Sequence, residues 1–274
     1  MARRGAAVPL TDFQRTLLAV LAEQVGERSG ESYLAGGAAL HFAPNSTRYS
    51  NDLPFFHDSV ERVAAAFNDN RARLVAAGYT VTVEISQPGF VRATVAHGEW
   101  STRVDWAHDS AWRFMPLVRD PLGGLMLHPV DLAINKVLAL AGRDEPRDFV
   151  DILFINERVL ALGAVCWAAA GKDPGFTPLS LLELLKRRGR YRPEEFARLD
   201  LAEPFDLVSA KTEWRSALDA ADAFIRSQPP DEMGCLYWFG EAGAFVMPVA
   251  GSPASATLTP HFGTPGGVVP QVRE

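Results

Sequence analysis

The chain has 274 residues, enough for one large domain or two small ones, and its 47% apolar and 22% charged composition is ordinary for a soluble globular protein. The net charge of −6 argues against a protein that coats nucleic acid generally. No run approaches the roughly 18 apolar residues of a membrane span, and the N-terminal arginines precede only a short, weakly apolar stretch, which does not read as a signal peptide.

Residues 10–27 read as an amphipathic helix, with Leu17, Leu18, Leu21 and Val25 at helical spacing. A short strand around Tyr33-Leu34 then runs into Gly36-Gly37 and a new helix. Residues 52–56 are a second short strand. Asp58 with Glu61 resembles a capping box that opens a helix to about Ala77, ended by Gly78. Residues 79–85, 90–97 and 101–108 alternate apolar and polar positions, as half-buried strands do. The first half is therefore α+β with a small mixed sheet. Beyond Gly123-Gly124 the pattern turns helical: Pro129 starts a helix to about Gly142, and a second runs from Arg147 to about Val159. Thr177-Pro178 and Arg192-Pro193 are further helix starts, and a long helix covers about Leu207 to Arg226. The expected division is an α+β domain over 1–125, a helical domain over 126–230, a β-hairpin over 231–249 and a disordered tail over 250–274. Cys166 and Cys235 show no metal-ligand spacing; Cys166 reads as a buried thiol, and a reducing cytoplasm fits.

Four places could carry chemistry. A glycine pair between strand and helix, Gly36-Gly37, lets backbone N–H groups come close to a phosphate; alone it is equally a tight turn. In Arg48-Tyr-Ser50-Asn-Asp52-Leu-Pro54, residues two apart on a strand share a face, and two acids at that spacing can hold Mg²⁺. Only Asp52 is acidic, because position 54 is proline. His57 reads as a surface or capping residue. Asp105, between Val104 and Trp106, either faces solvent or completes a metal site. On the helix from Pro129, Lys136 and Arg143 project together away from the apolar stripe of Val130, Ile134, Val137 and Ala141, where they could grip phosphates. Asp148 and Asp151 lie on an otherwise apolar stripe of the next helix, where buried acids need partners, and Arg147 could pair with Asp151 along the helix. Lys186 to Arg192 reads as a solvated helix end, with a foothold for RNA as the alternative.

Taken in order, these residues resemble the AbiEii/AbiGii toxin family of nucleotidyltransferases, a branch of the polymerase-β superfamily that includes MenT-type toxins. Gly36, Gly37 and Leu40 match its first element, Arg48, Ser50 and Asp52 its second, Asp105 its later strand acid, and Lys136, Arg147, Asp148 and Asp151 its helical run. The resemblance implies a polymerase-β-type nucleotidyltransferase domain followed by a helical domain. It also implies Mg²⁺-dependent transfer of a nucleotidyl group from an NTP to an acceptor such as tRNA, beside a cognate antitoxin. In that reading Gly36, Gly37, Arg48 and Ser50 hold the triphosphate, and Asp52 and Asp105 ligate metal. Asp105 also draws a proton from the attacking hydroxyl. Lys136 and Arg143 neutralise phosphate charge, and Asp151 orients Lys136 or the acceptor. Pro54 stands where the family has its second aspartate. Neither Leu53 nor Phe55 replaces it, and Asp58 falls toward the next helix. Nucleotide binding with impaired turnover is thus the alternative.

Overall fold

The structure is a computed structural model that describes residues 10–22, 32–42, 46, 48–249 and 257–271. In chain order its elements begin with α1 (Asp12–Ala22), β1 (Tyr33–Leu34), α2 (Gly36–Leu40), β2 (Asp52–His57) and α3 (Val60–Ala76). The strands β3 (Thr80–Gln87), β4 (Phe90–His97), β5 (Trp100–His108), β6 (Trp112–Arg113), β7 (Val118–Arg119) and β8 (Leu125–Met126) follow. The helical stretch comprises α4 (Pro129–Arg143), α5 (Pro146–Arg158), α6 (Leu162–Lys172), α7 (Pro178–Leu185), α8 (Pro193–Phe196) and α9 (Leu207–Ser227). A short 3-10 turn at Pro230–Glu232 leads to β9 (Cys235–Phe239), β10 (Ala244–Val246), β11 (Leu258–Phe262) and β12 (Thr264–Pro265).

Two compact units share the chain. One takes Met1–Ala111, Leu117–His128 and Asp200–Ala202; the other takes Trp112–Pro116, Pro129–Leu199 and Glu203–Glu274. The first holds a mixed sheet of order β3-β4-β5-β2-β1-β8-β7. It is wider than expected because β7 and β8 are two-residue strands that leave no periodic signal. The β2–β5 and β1–β8 pairs are parallel, and the others are antiparallel. Burial on β2 alternates: Leu53, Phe55 and His57 point one way, and Asp52, Pro54 and Phe56 the other. The inward residues pack under α3, where the Phe67 ring meets Trp106 edge-on at 5.1 Å between centroids. His57, expected at the surface, is fully buried on this side. Ser59, not Asp58, stands at the N-cap position of α3, without a side-chain capping hydrogen bond; the Asp58 carboxylate accepts a hydrogen bond from the Tyr33 hydroxyl at 3.1 Å. Val25, expected on the first helix, lies outside the described residues.

In the second unit α6 is buried along residues 162–169, as its uniformly apolar sequence requires, and α4, α7, α9 and β9 pack around it. Cys166 is fully buried there, and burial pushes its thiol far up. Asp206 caps α9 through Val208 and Ser209, and Thr177 caps α7 through Ser180. The segment read as a disordered tail is ordered over 257–271. Its strand β11 pairs along the whole of β9, from Leu258 opposite Phe239 to Phe262 opposite Cys235. Pro260 disguised this strand. β11 is an edge of the β10-β9-β11 sheet, and an edge tolerates a residue that cannot donate to a ladder. Among the described residues no helix is long and apolar enough to cross a membrane.

Candidate functional site

In the first unit the glycine pair is fixed by two close approaches. Gly36 has φ +60°, and a Cβ there would lie 2.8 Å from the Pro54 Cγ. A Cβ on Gly37 would fall on the Arg48 guanidinium. Gly36 therefore needs glycine for its backbone and packing, and any side chain at Gly37 must displace the Arg48 guanidinium. Arg48 is 7% exposed, donates to the Tyr49 carbonyl at 3.0 Å and bridges by backbone to Leu201. The Ser50 hydroxyl donates to the Asp52 carbonyl at 2.9 Å. Gln14, which carried no signal in the sequence beyond its place on a helix, is buried and ties three segments together. Its amide donates to the Ser50 carbonyl at 2.9 Å and to the Thr102 hydroxyl at 3.1 Å.

Strand register then sets the outward face. Asp52 pairs with Arg103 and Pro54 with Asp105 across the parallel β2–β5 ladder, so all four share that face. Across the antiparallel β4–β5 ladder Arg92 pairs with Asp105, and it meets the carboxylate fork to fork. Its Nε donates to Oδ1 at 2.8 Å and its Nη2 to Oδ2 at 2.7 Å. Hydrogen bonding to Asp105 raises the Arg92 pKa further above its ordinary value. Reading the sequence alone missed Arg92. The alternation of 90–97 places it on the polar side of a strand, but no single-strand pattern reveals which residue it opposes.

In the second unit Lys136, Arg143, Asp148 and Asp151 come together. The Lys136 ammonium lies 3.0 Å from Asp148 and 2.6 Å from Asp151, both carboxylates being fully buried. Arg143 clasps Asp148 through Nε at 2.6 Å and Nη2 at 2.8 Å. Burial works against ionising Asp148. The Arg143 hydrogen bonds and the Lys136 and Arg143 charges outweigh it, so the carboxyl stays below its ordinary range. The two cations thus converge on acids of α5 rather than projecting away together. Lys136 is only 5% exposed, which leaves its ammonium directed at the two carboxylates. The basic run is also engaged within this unit: Lys186 reaches Glu183 at 2.6 Å and Asp222 at 3.0 Å, and Arg188 reaches Asp144 at 3.1 Å.

A model of the family described as nucleotidyl transferase AbiEii toxin, Type IV TA system, matches residues 20–232. The chain belongs to this AbiEii nucleotidyltransferase toxin family. Its fold is that of solved nucleotidyltransferase toxins. MenT4 of Mycobacterium tuberculosis H37Rv, described as a nucleotidyltransferase toxin, aligns at a TM-score of 0.52 with 18% identity, over 80% of this chain and 83% of that one. JHP933 of Helicobacter pylori aligns at 0.50 with 16% identity, over 80% of this chain and 96% of that one. At these identities both likenesses speak to fold alone. The curated proteins give no match.

AbiEii membership brings an expectation of divalent metal, since nucleotidyltransferases of this kind typically use one. The outward face of this AbiEii chain does not fit it. Mg²⁺ wants several oxygen ligands in near-octahedral array. Position 54 offers a proline ring, and both Asp105 oxygens are already bonded to Arg92. Among the described residues no group of three or more His, Cys, Asp or Glu side chains could hold a metal ion.

Proposed function

We propose that this AbiEii-family protein binds a nucleoside triphosphate at the face carrying Asp52 and Asp105 and moves a nucleotidyl group from it to an acceptor of the tRNA class, in the cytoplasm and beside an antitoxin partner. Family membership over residues 20–232 is the observation that carries this reading. The placement of Asp52 and Asp105 on one face of neighbouring strands supports it. In this reading Gly36, Gly37, Arg48 and Ser50 form the triphosphate side. Asp52 orients the reacting groups, and Asp105 accepts the proton of the attacking hydroxyl once its pair with Arg92 opens. Within the helical unit, Asp151 positions Lys136 through their 2.6 Å contact.

A second reading is a nucleotide- or partner-binding member with impaired transfer. Pro54 and the Arg92–Asp105 fork favour it, because the face keeps one carboxylate outside that ion pair where the family pattern has three acids. Incubation with Mg²⁺, each labelled NTP and total tRNA separates the two. Label transferred to RNA supports the first reading. NTP binding without transfer supports the second. Neither binding nor transfer removes both.

A further inference from the structure

The row of side chains across β2, β5 and β4 is Pro54, Asp105, Arg92. One step along, the row is Asp52, Arg103, Thr94. Two carboxylates and two guanidinium groups therefore share the outward face, and the Asp52 charge also acts on Arg92. Arg103 has a counter-charge of its own in Glu84, at 3.5 Å. A divalent ion at Asp105 would have to break a two-bond charge-assisted fork and would find no second carboxylate at position 54. The guanidinium already provides what the ion would provide there: positive charge held against Asp105 on the face where phosphates would lie. The fork uses Nε and Nη2, and the Arg92 side chain stays 30% exposed, which leaves guanidinium donor capacity for a phosphate oxygen.

We propose that Arg92 fills the cation position of this face, so that the protein takes a nucleoside triphosphate without a divalent metal. The proposal rests on the nucleotide-binding reading above and names the cation that serves it. Asp105 in turn becomes the residue that holds Arg92 in place. On this account Pro54 and Arg92 form one arrangement: restoring an acid at 54 does not recreate a metal site while the guanidinium stays on Asp105.

The test has two arms on the full chain. In the first, Mn²⁺ alone is titrated into the natural protein, Pro54→Asp, and Pro54→Asp with Arg92→Gln, and free ion is followed by its paramagnetic resonance. The natural protein and the single variant should bind no ion, and the double variant should gain roughly one per chain. Binding by the natural protein or by Pro54→Asp alone overturns the proposal, as does a folded double variant that binds none. In the second arm equilibrium dialysis compares each of the four NTPs in EDTA and in Mg²⁺, with no variant required. Affinity in EDTA within about threefold of that in Mg²⁺ supports the proposal, and a larger drop overturns it. If no NTP binds in either medium the nucleotide reading itself fails, and the Mn²⁺ arm then decides on Arg92 alone.

Discussion

Replacing Lys136 by methionine keeps most of the length of the side chain and removes only the charge, so it measures what the buried quartet of α4 and α5 contributes. Lys136 faces two fully buried carboxylates at 3.0 and 2.6 Å. Their fates differ in the variant. Asp148 keeps both hydrogen bonds from Arg143, at 2.6 and 2.8 Å. Asp151 loses its ammonium partner and stays in the interior. Removing one member of a buried pair costs about 3–5 kcal/mol, because the remaining charge is left poorly compensated. That is a large share of the roughly 5–15 kcal/mol that holds a typical protein folded. Urea unfolding followed by far-UV circular dichroism at neutral pH should show this loss as a lower midpoint with little change of slope. Adding Asp151→Asn to Lys136→Met removes the charge that has lost its ammonium and should recover more than half of the loss. A Lys136→Met protein within about 1 kcal/mol of the natural one would refute the reasoning, since other contacts would then be compensating Asp151. Failure of Asp151→Asn to restore stability would refute it equally.

Two further predictions concern stability. Asp131 is fully buried, and burial pushes its carboxyl up to about 6 despite hydrogen bonds from the Phe114 and Met115 backbone N–H groups at 2.7 and 3.0 Å. A folded-state pKa above the unfolded value favours the folded state below about pH 4, and the benefit is lost as pH rises through about 6, a change of about 3 kcal/mol. Asp131→Asn does not titrate, so the stability difference between the two proteins should shift by about that amount between pH 4 and pH 7, and parallel pH curves would contradict this account. Gly37→Ala should destabilise the first unit by about 1–3 kcal/mol, because the new methyl group must displace the buried Arg48 guanidinium. Thermal unfolding measures it, and an unchanged midpoint would mean that Arg48 moves aside freely.

Much of the fold can be read from the sequence because its signals are local. The alternation of 90–97 and 101–108, the prolines at the starts of α4, α7 and α8, and the capping residues of α7 and α9 report on their own neighbourhoods. What cannot be read is pairing between distant segments. The helical pattern places Lys136 and Arg143 beside each other correctly. It cannot show that two acids of α5 turn back to meet them. Those acids carried their own clue, since Asp148 and Asp151 on an apolar stripe demand partners. The glycine pair was legible as a turn, whereas its contacts with Pro54 and Arg48 depend on tertiary packing.

The Arg92–Asp105 fork shows the same boundary most sharply. A one-residue slip in the β4–β5 ladder would send Arg92 to the other face of the sheet and leave Asp105 without it. No inspection of either strand alone fixes that register. Once it is fixed, Pro54 takes on a different meaning. As an isolated substitution it removes one carboxylate from a metal site. Beside a carboxylate already held by a guanidinium, an aspartate at 54 would add a third negative charge to a face that already carries Asp52 and Asp105. Proline adds no charge and packs its ring against the glycine turn, 2.8 Å from where a Cβ on Gly36 would be. Proline at 54 and the Arg92–Asp105 fork therefore favour each other electrostatically. On the proposal that Arg92 fills the cation position, a face arranged in this way is an ion-pair surface rather than a metal site with one ligand missing.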